Sequence, residues 1–203
     1  MKTRVLVYGF LAVAVALTIT SCATSNVSRV ETEEVIDLSG RWNDTDSRLV
    51  AEEMIKDVLN RPWLQDFKSK KGKVPTVIVG TVANKSHEHI NVQTFIKDLE
   101  KELTNAGKVK FVSSREEREE VREERKDQQY GYTESSTTKQ FGKEVGADFM
   151  LKGSMNTIVD EIEGKRVTYY QTDLELVDIE TNTKVWIGQK KIKKVVKRSG
   201  TGL

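Results

Sequence analysis

Hydrophobic positions follow two periods along the chain, helical in its first two thirds and alternating in its last third. Val50, Met54, Ile55, Val58 and Leu59 recur at helical spacing behind Arg41 to Arg48, a stretch holding several N-cap candidates. They predict a helix from about Asp46 to Leu59, ended by Asn60-Arg61-Pro62. Lys68 to Lys73, with four lysines and Gly72, reads as a loop. Val74 to Val82 is a continuous β-branched run, the mark of a strand covered on both faces, with Pro75 tolerable only at its start. After a loop from Ala83 to Glu88, the residues Val92, Phe95, Ile96, Leu99 and Leu103 share one helical face. Asn91 is placed to cap that helix and Gly107 to close it in the left-handed conformation. Val109 to Val112 then forms a short strand, so strand, helix and strand make one parallel unit.

From Arg115 to Lys126 every residue but Val121 is charged, with Glu and Arg three and four apart, which predicts a solvated helix carrying weak ion pairs. Tyr130 to Thr138 reads as a polar loop, followed by a short helix near Lys139 to Val145. Phe149 to Val159, Val167 to Ile179 and Lys184 to Lys194 are β-rich runs separated by Glu163-Gly164-Lys165 and by Glu180 to Thr183. They predict an antiparallel three-stranded meander. In its middle strand Tyr170, Thr172, Leu174 and Leu176 alternate with Tyr169, Gln171, Asp173 and Glu175, one covered face against one wetter face. The expected fold class is α/β (α+β): a mixed sheet with one parallel unit and a C-terminal meander, flanked by about four helices, in one domain spanning residues 37–198.

The N-terminus has a different pattern. Lys2 and Arg4 precede an apolar run from Val5 to Ile19, broken only by Gly9 and Thr18. That is the pattern of a secretory signal, and at about 15 residues it is shorter than the roughly 18 a transmembrane helix needs. Cys22 is the single cysteine, so no disulfide can form within the chain. Ile19-Thr20-Ser21-Cys22 resembles the lipobox of bacterial lipoproteins. The resemblance implies cleavage before Cys22, a diacylglyceryl group on its sulfur and an acyl group on its amine. The expected organisation is a signal peptide at 1–21, an acylated Cys22 with a short tether at 22–36, the domain at 37–198 and a tail at 199–203. Val35 to Leu38 is apolar enough to pack on the domain.

Charge narrows the function classes. Lys2 and Arg4 supply the whole formal net charge of +2, so the chain after the signal is neutral, which disfavours a broad nucleic-acid-binding field. Charged residues make up 32% of the chain against 37% hydrophobic, enough for a modest core under a heavily charged surface. Candidate chemistry is sparse. His87 and His89 sit one residue apart in a loop without a third ligand at recognisable spacing, and read as solvated histidines. Asp44 and Asp46 resemble a calcium-loop fragment but lack its glycine and closing glutamate; helix capping explains them better. No nucleophile elbow, phosphate loop, paired zinc motif or dinucleotide fingerprint is present. The basic run from Lys190 to Arg198 suits a protected edge strand, or contact with anionic headgroups or an acidic partner. The helix at Arg115 to Lys126 is a solvated face or a docking element.

Three stretches carry a family resemblance. Asp37-Leu-Ser-Gly-Arg-Trp-Asn-Asp-Thr-Asp-Ser-Arg-Leu-Val-Ala-Glu-Glu-Met-Ile55 resembles the start of the domain in the penicillin-binding protein activator LpoB family. Val145 to Gly153 and Glu175 to Trp186 are similar to its paired strands, and more loosely to the N-terminal domain of TolB and to curli-secretion lipoproteins. The resemblance spans about Asp37 to Lys190. It implies an outer-membrane lipoprotein facing the periplasm that itself catalyses nothing; no cofactor or metal is expected, and of the oligomeric states, left open, a monomer is favoured. Its implied partner is a class A penicillin-binding protein whose glycan polymerisation and crosslinking it stimulates by allostery. The docking residues are not implied. One departure concerns the long proline-rich tether of the best-known members: Cys22 to Gly40 is 18 residues here, at most about 60–65 Å extended. Two other readings are an assembly lipoprotein of a secretion or envelope complex, and a metal-dependent hydrolase built on His87 and His89.

Overall fold

The structure, a computed structural model, describes residues 27–197. The signal-like segment, Cys22, the first part of the tether and the tail from Arg198 onward lie outside the described residues. These residues divide after Glu34 into two units. Residues 27–34 end in a turn at Glu31–Glu34, where the Glu34 N–H donates to the Glu31 carbonyl at 3.1 Å.

The unit from Val35 onward holds four α-helices and a five-stranded sheet. Helix α1, Asp44–Val58, begins with a reciprocal cap: the Asn43 side chain accepts from the Asp46 N–H, and the Asp46 carboxylate accepts from the Asn43 N–H, both at 3.0 Å. Helix α2, Pro62–Lys71, corrects the loop expected at Lys68 to Lys73. Pro62 ends the first helix only by starting the next, because at a first helical position its missing N–H loses no bond. Trp63, Leu64 and Phe67 bury one side of α2, the lysines face solvent in its last turn, and Gly72 closes it at φ +64°.

Strand β1, Thr76–Lys85, is buried at every residue from Thr76 to Val79, so only its first half is covered on both faces; it also consumes Ala83 to Lys85 of the expected loop. Helix α3, Val92–Asn105, is capped by Asn91, whose side chain accepts from the Gln93 N–H at 3.1 Å, and Gly107 behind it adopts φ +63°. Strand β2, Lys110–Phe111, follows. Helix α4, Arg115–Asp127, buries none of its residues, as its composition predicts.

A five-residue turn, Gln128–Tyr132, comes next, kinked at Gly131 (φ +91°), and the short helix expected near Lys139 to Val145 does not form. Gly142 sits in that stretch at φ +72°, which no continuing right-handed helix accommodates. The segment is held instead from outside: the Lys139 N–H donates to Gln128 Oε1 at 3.1 Å, and Glu144 is clamped by Arg122 and Arg125 at 2.9 Å each. The hydrogen bonds from the two arginines lower the Glu144 carboxyl to about 2.

Strands β3, Phe149–Ile162, β4, Lys165–Asp178, and β5, Lys184–Lys197, form the meander; β3 and β5 each run three residues past the expected end, and β4 starts two residues early and stops one short of Ile179. The sheet order is β2-β1-β3-β4-β5, with β1 parallel to β2 and β3 and the rest antiparallel. The expected mixed sheet with one parallel unit and a meander is therefore the observed one. Leu151, Leu176 and Trp186 lie in register on the covered face, with Leu174 two residues along the same face of β4, and all four enter one core with Val50, Leu99 and Phe149. Trp63 and Phe67 of α2 both meet the Phe149 ring edge-on, at 5.0 and 5.2 Å. Among the described residues no helix is long and apolar enough to cross a membrane.

Candidate functional site

The densest polar chemistry lies where the strap ahead of α1, residues 36–43, crosses the covered face at the far end of β4 and β5. The apolar packing expected of Val35 to Leu38 does not occur: Val35 and Leu38 are exposed. Polar groups hold the strap instead. Asn43 Nδ2 donates to the Ile36 carbonyl at 3.2 Å and to Asp37 Oδ1 at 2.8 Å. Gly40, at φ +67°, lies so close to Val196 that an added Cβ would meet its Cγ2 at 2.3 Å.

Lys194 is the centre of this clasp. Its side chain is 9% exposed, and its ammonium donates to Asp37 at 2.5 Å, Asp46 at 2.6 Å and the Arg41 carbonyl at 3.1 Å, which uses all three protons. Burial acts to pull the ammonium down, but its hydrogen bonds to the two carboxylates outweigh it and its pKa is raised. Beside it, Glu88 accepts from the Tyr170 hydroxyl at 2.7 Å and from the Trp42 N–H at 3.1 Å. Burial, then the bond to Glu88, pushes the Tyr170 phenol well above its ordinary range. The Trp42 ring packs on Tyr170 at 5.6 Å and donates through Nε1 to Ser47 Oγ at 2.8 Å. A cleft of about 690 Å³ opens next to the clasp, lined by Gly40, Arg41, Glu88, Glu161, Arg166 and Val196 among others.

The residues singled out in the sequence fall as follows. His87 lies against Arg166, which lines this cleft: Nδ1 is 2.6 Å from Thr157 Oγ1 and Nε2 is 3.0 Å from the Arg166 guanidinium. A guanidinium only donates, so Nε2 is the acceptor and Nδ1 carries the proton toward Thr157. His89 is exposed and does not share these partners. Among the described residues no three His, Cys, Asp or Glu side chains converge as a metal ion would require. Asp44 lies in the first turn of α1, and Asp46 serves both the helix cap and Lys194.

The basic run is split by the pleat of β5. Lys190 pairs with Glu53 of α1 and Lys194 with Asp37 and Asp46, all on the covered face. Lys191, Lys193 and Lys197 point the other way, exposed. The clasp residues Trp42, Glu88 and Tyr170 were not legible as a group, since they come from three distant stretches. The division of the lysines was legible, because strand alternation alone assigns them to opposite faces. Every polar group of the clasp is bonded within the chain, so its chemistry is that of a fastener for the strap.

Comparison with known proteins adds the following. A family model described as peptidoglycan-synthase activator LpoB matches residues 46–192. The C-terminal domain of LpoB from Escherichia coli is similar at 17% identity and a TM-score of 0.40, over 72% of this chain and 98% of that one. Lipoprotein GNA1162 from Neisseria meningitidis is similar at 16% identity and 0.40, over 63% and 88%. The PelC dodecamer from Paraburkholderia phytofirmans is similar at 16% identity and 0.30, over 63% and 76%. No curated protein matches the chain.

Proposed function

The chain belongs to the LpoB family of peptidoglycan-synthase activators, and from that premise we propose that it binds a class A penicillin-binding protein and stabilises its active state. The single observation that carries the reading is the family match over residues 46–192, which runs from the cap of α1 into β5. An activator of this kind acts by differential affinity: it shifts the synthase toward a productive conformation only as far as it binds that conformation better. No step of glycan chemistry falls to the chain itself in this reading.

The address follows from Cys22. Cleavage after residue 21 and acylation of Cys22 anchor the protein at the outer membrane, facing the periplasm, as a monomer. Two or three acyl chains hold firmly where one holds reversibly. Because polar bonds fasten the strap from Ile36 onward, the tether from Cys22 to Val35 is 14 residues, or 13 residue-to-residue steps. Extended, that spans at most about 43–47 Å. The synthase therefore meets the activator close to its anchor.

The test is reconstitution of the full lipidated chain with each class A synthase of its cell, measuring binding and the rate of lipid II polymerisation. Binding with a raised rate is the expected result; the absence of binding at micromolar concentration to all of those synthases refutes the activator reading. Mass spectrometry of the cellular protein checks Cys22, with a triacylated N-terminal cysteine expected.

A further inference from the structure

We propose that the uncovered face of the β3-β4-β5 meander is the surface that receives the synthase, and that it selects an acidic surface with an apolar centre. The inference rests on the activator reading and adds the docking site to it. Register places three rows side by side on this face: Ile158, Tyr169 and Lys193; Asp160, Val167 and Val195; Ile162, Lys165 and Lys197. Ile158 is 67% exposed, Ile162 70% and Val195 51%, beside half-buried Val167 and Tyr169. Contiguous exposed aliphatic side chains on a sheet face mark an interaction surface rather than ordinary scatter.

The rim is basic. Lys165, Lys191, Lys193 and Lys197 are exposed, and among the described residues none has an ion-pair partner. The lysines of the same strand that face the helices are paired, so the charge left over is confined to this face. An apolar centre inside a charged rim is the anatomy of a protein interface, and unpaired lysines complement carboxylates. A second copy of this chain would set these lysines against their own like charges. A flat anionic bilayer would bring negative charge against Asp160 within the patch and Glu161 and Glu163 at the adjoining hairpin tip as well as against the lysines, whereas a protein can set its carboxylates opposite the lysines alone.

The experiment compares the full chain in detergent with Lys191→Glu/Lys193→Glu and Ile158→Ser/Val195→Ser for binding to the synthase that it activates. Circular dichroism and thermal melting verify folding. Each pair should weaken Kd by about tenfold or more, and the lysine pair should also flatten the salt dependence. Lys70→Glu/Lys143→Glu, an equal charge change elsewhere, should bind like the parent. Folded face variants that bind and stimulate like the parent overturn this docking site while leaving the activator reading standing. Equal weakening by the control pair also overturns it, because a diffuse field would then be responsible. If the parent binds no synthase, the activator reading fails and this proposal falls with it.

A bilayer is tested by hydrogen exchange in phosphatidylcholine vesicles with and without phosphatidylglycerol. Protection of β4 and β5 that needs phosphatidylglycerol and vanishes in Lys191→Glu/Lys193→Glu, with synthase binding unchanged, would assign the face to the membrane instead.

Discussion

The two faces of β5 carry the same kind of residue to opposite ends. On the covered face Lys190 and Lys194 are paired with carboxylates of α1 and the strap, Trp186 donates to Asp57 Oδ2 at 2.8 Å, and Gly188 leaves room for the indole. On the other face Lys191 and Lys193 alternate with Ile187 and Val195 in solvent. A lysine's role in this strand is thus decided by its parity. Those under the helices close a fold; those facing out stand in solvent without an ion-pair partner among the described residues.

Breaking the covered face should cost most. Trp186→Ala removes a buried indole and its bond to Asp57, and should lower unfolding free energy by about 4 kcal/mol in urea titrations. Lys194→Ala comes next, at about 3 kcal/mol, since it leaves Asp46, buried, and Asp37 without their cation. The same clasp has a pH signature. Lys194 and Tyr170 both have raised pKa values in the folded state. Their contribution is therefore complete below the unfolded values of 10.5 and 10.0 and is lost as pH rises above them. Unfolding free energy of the parent should fall from about pH 10 upward, more steeply than that of Lys194→Met.

Smaller effects sharpen the contrast. Gly188→Ala places a methyl 2.1 Å from the Trp186 ring, which must move, and overpacking of this kind should cost about 2 kcal/mol by the same titration. Lys191→Gln and Lys193→Gln, on the open face, should each stay within about 0.5 kcal/mol of the parent. A large loss from either would show that the open face also serves stability.

Much of the fold was legible where one local rule decided the outcome. The face of Val92, Phe95, Leu99 and Leu103 and the alternation of Tyr170, Thr172, Leu174 and Leu176 both appear as read. The errors occurred where local signals conflicted. Lysine-rich Lys68 to Lys73 looked like a loop, but Trp63, Leu64 and Phe67 anchor one side of a helix there and the lysines only need water. Lys139 to Val145 looked helical, but Gly142 breaks it and contacts with α4 replace it. The strap was expected to be held by apolar packing, yet Val35 and Leu38 are exposed and Asp37, Asn43 and Lys194 hold it. Of the candidate surfaces, the basic run was visible and the strand period of β5 divides its members between two faces, but which face the helices and the strap cover was not legible.

The sequence by itself determined most of the element types, the mixed sheet and the sorting of strand residues to faces, since these follow from periods of 3.6 and 2 and from caps within a few residues; Pro62–Lys71 and Lys139 to Val145 needed their tertiary contacts. The tertiary structure alone decided which charges are used up. Whether Lys194 is buried with two carboxylates while Lys193 stands free depends on α1 and the strap lying over one face of β5, a meeting of Asp37, Asp46 and Lys194 across about 150 positions of chain that no local pattern encodes.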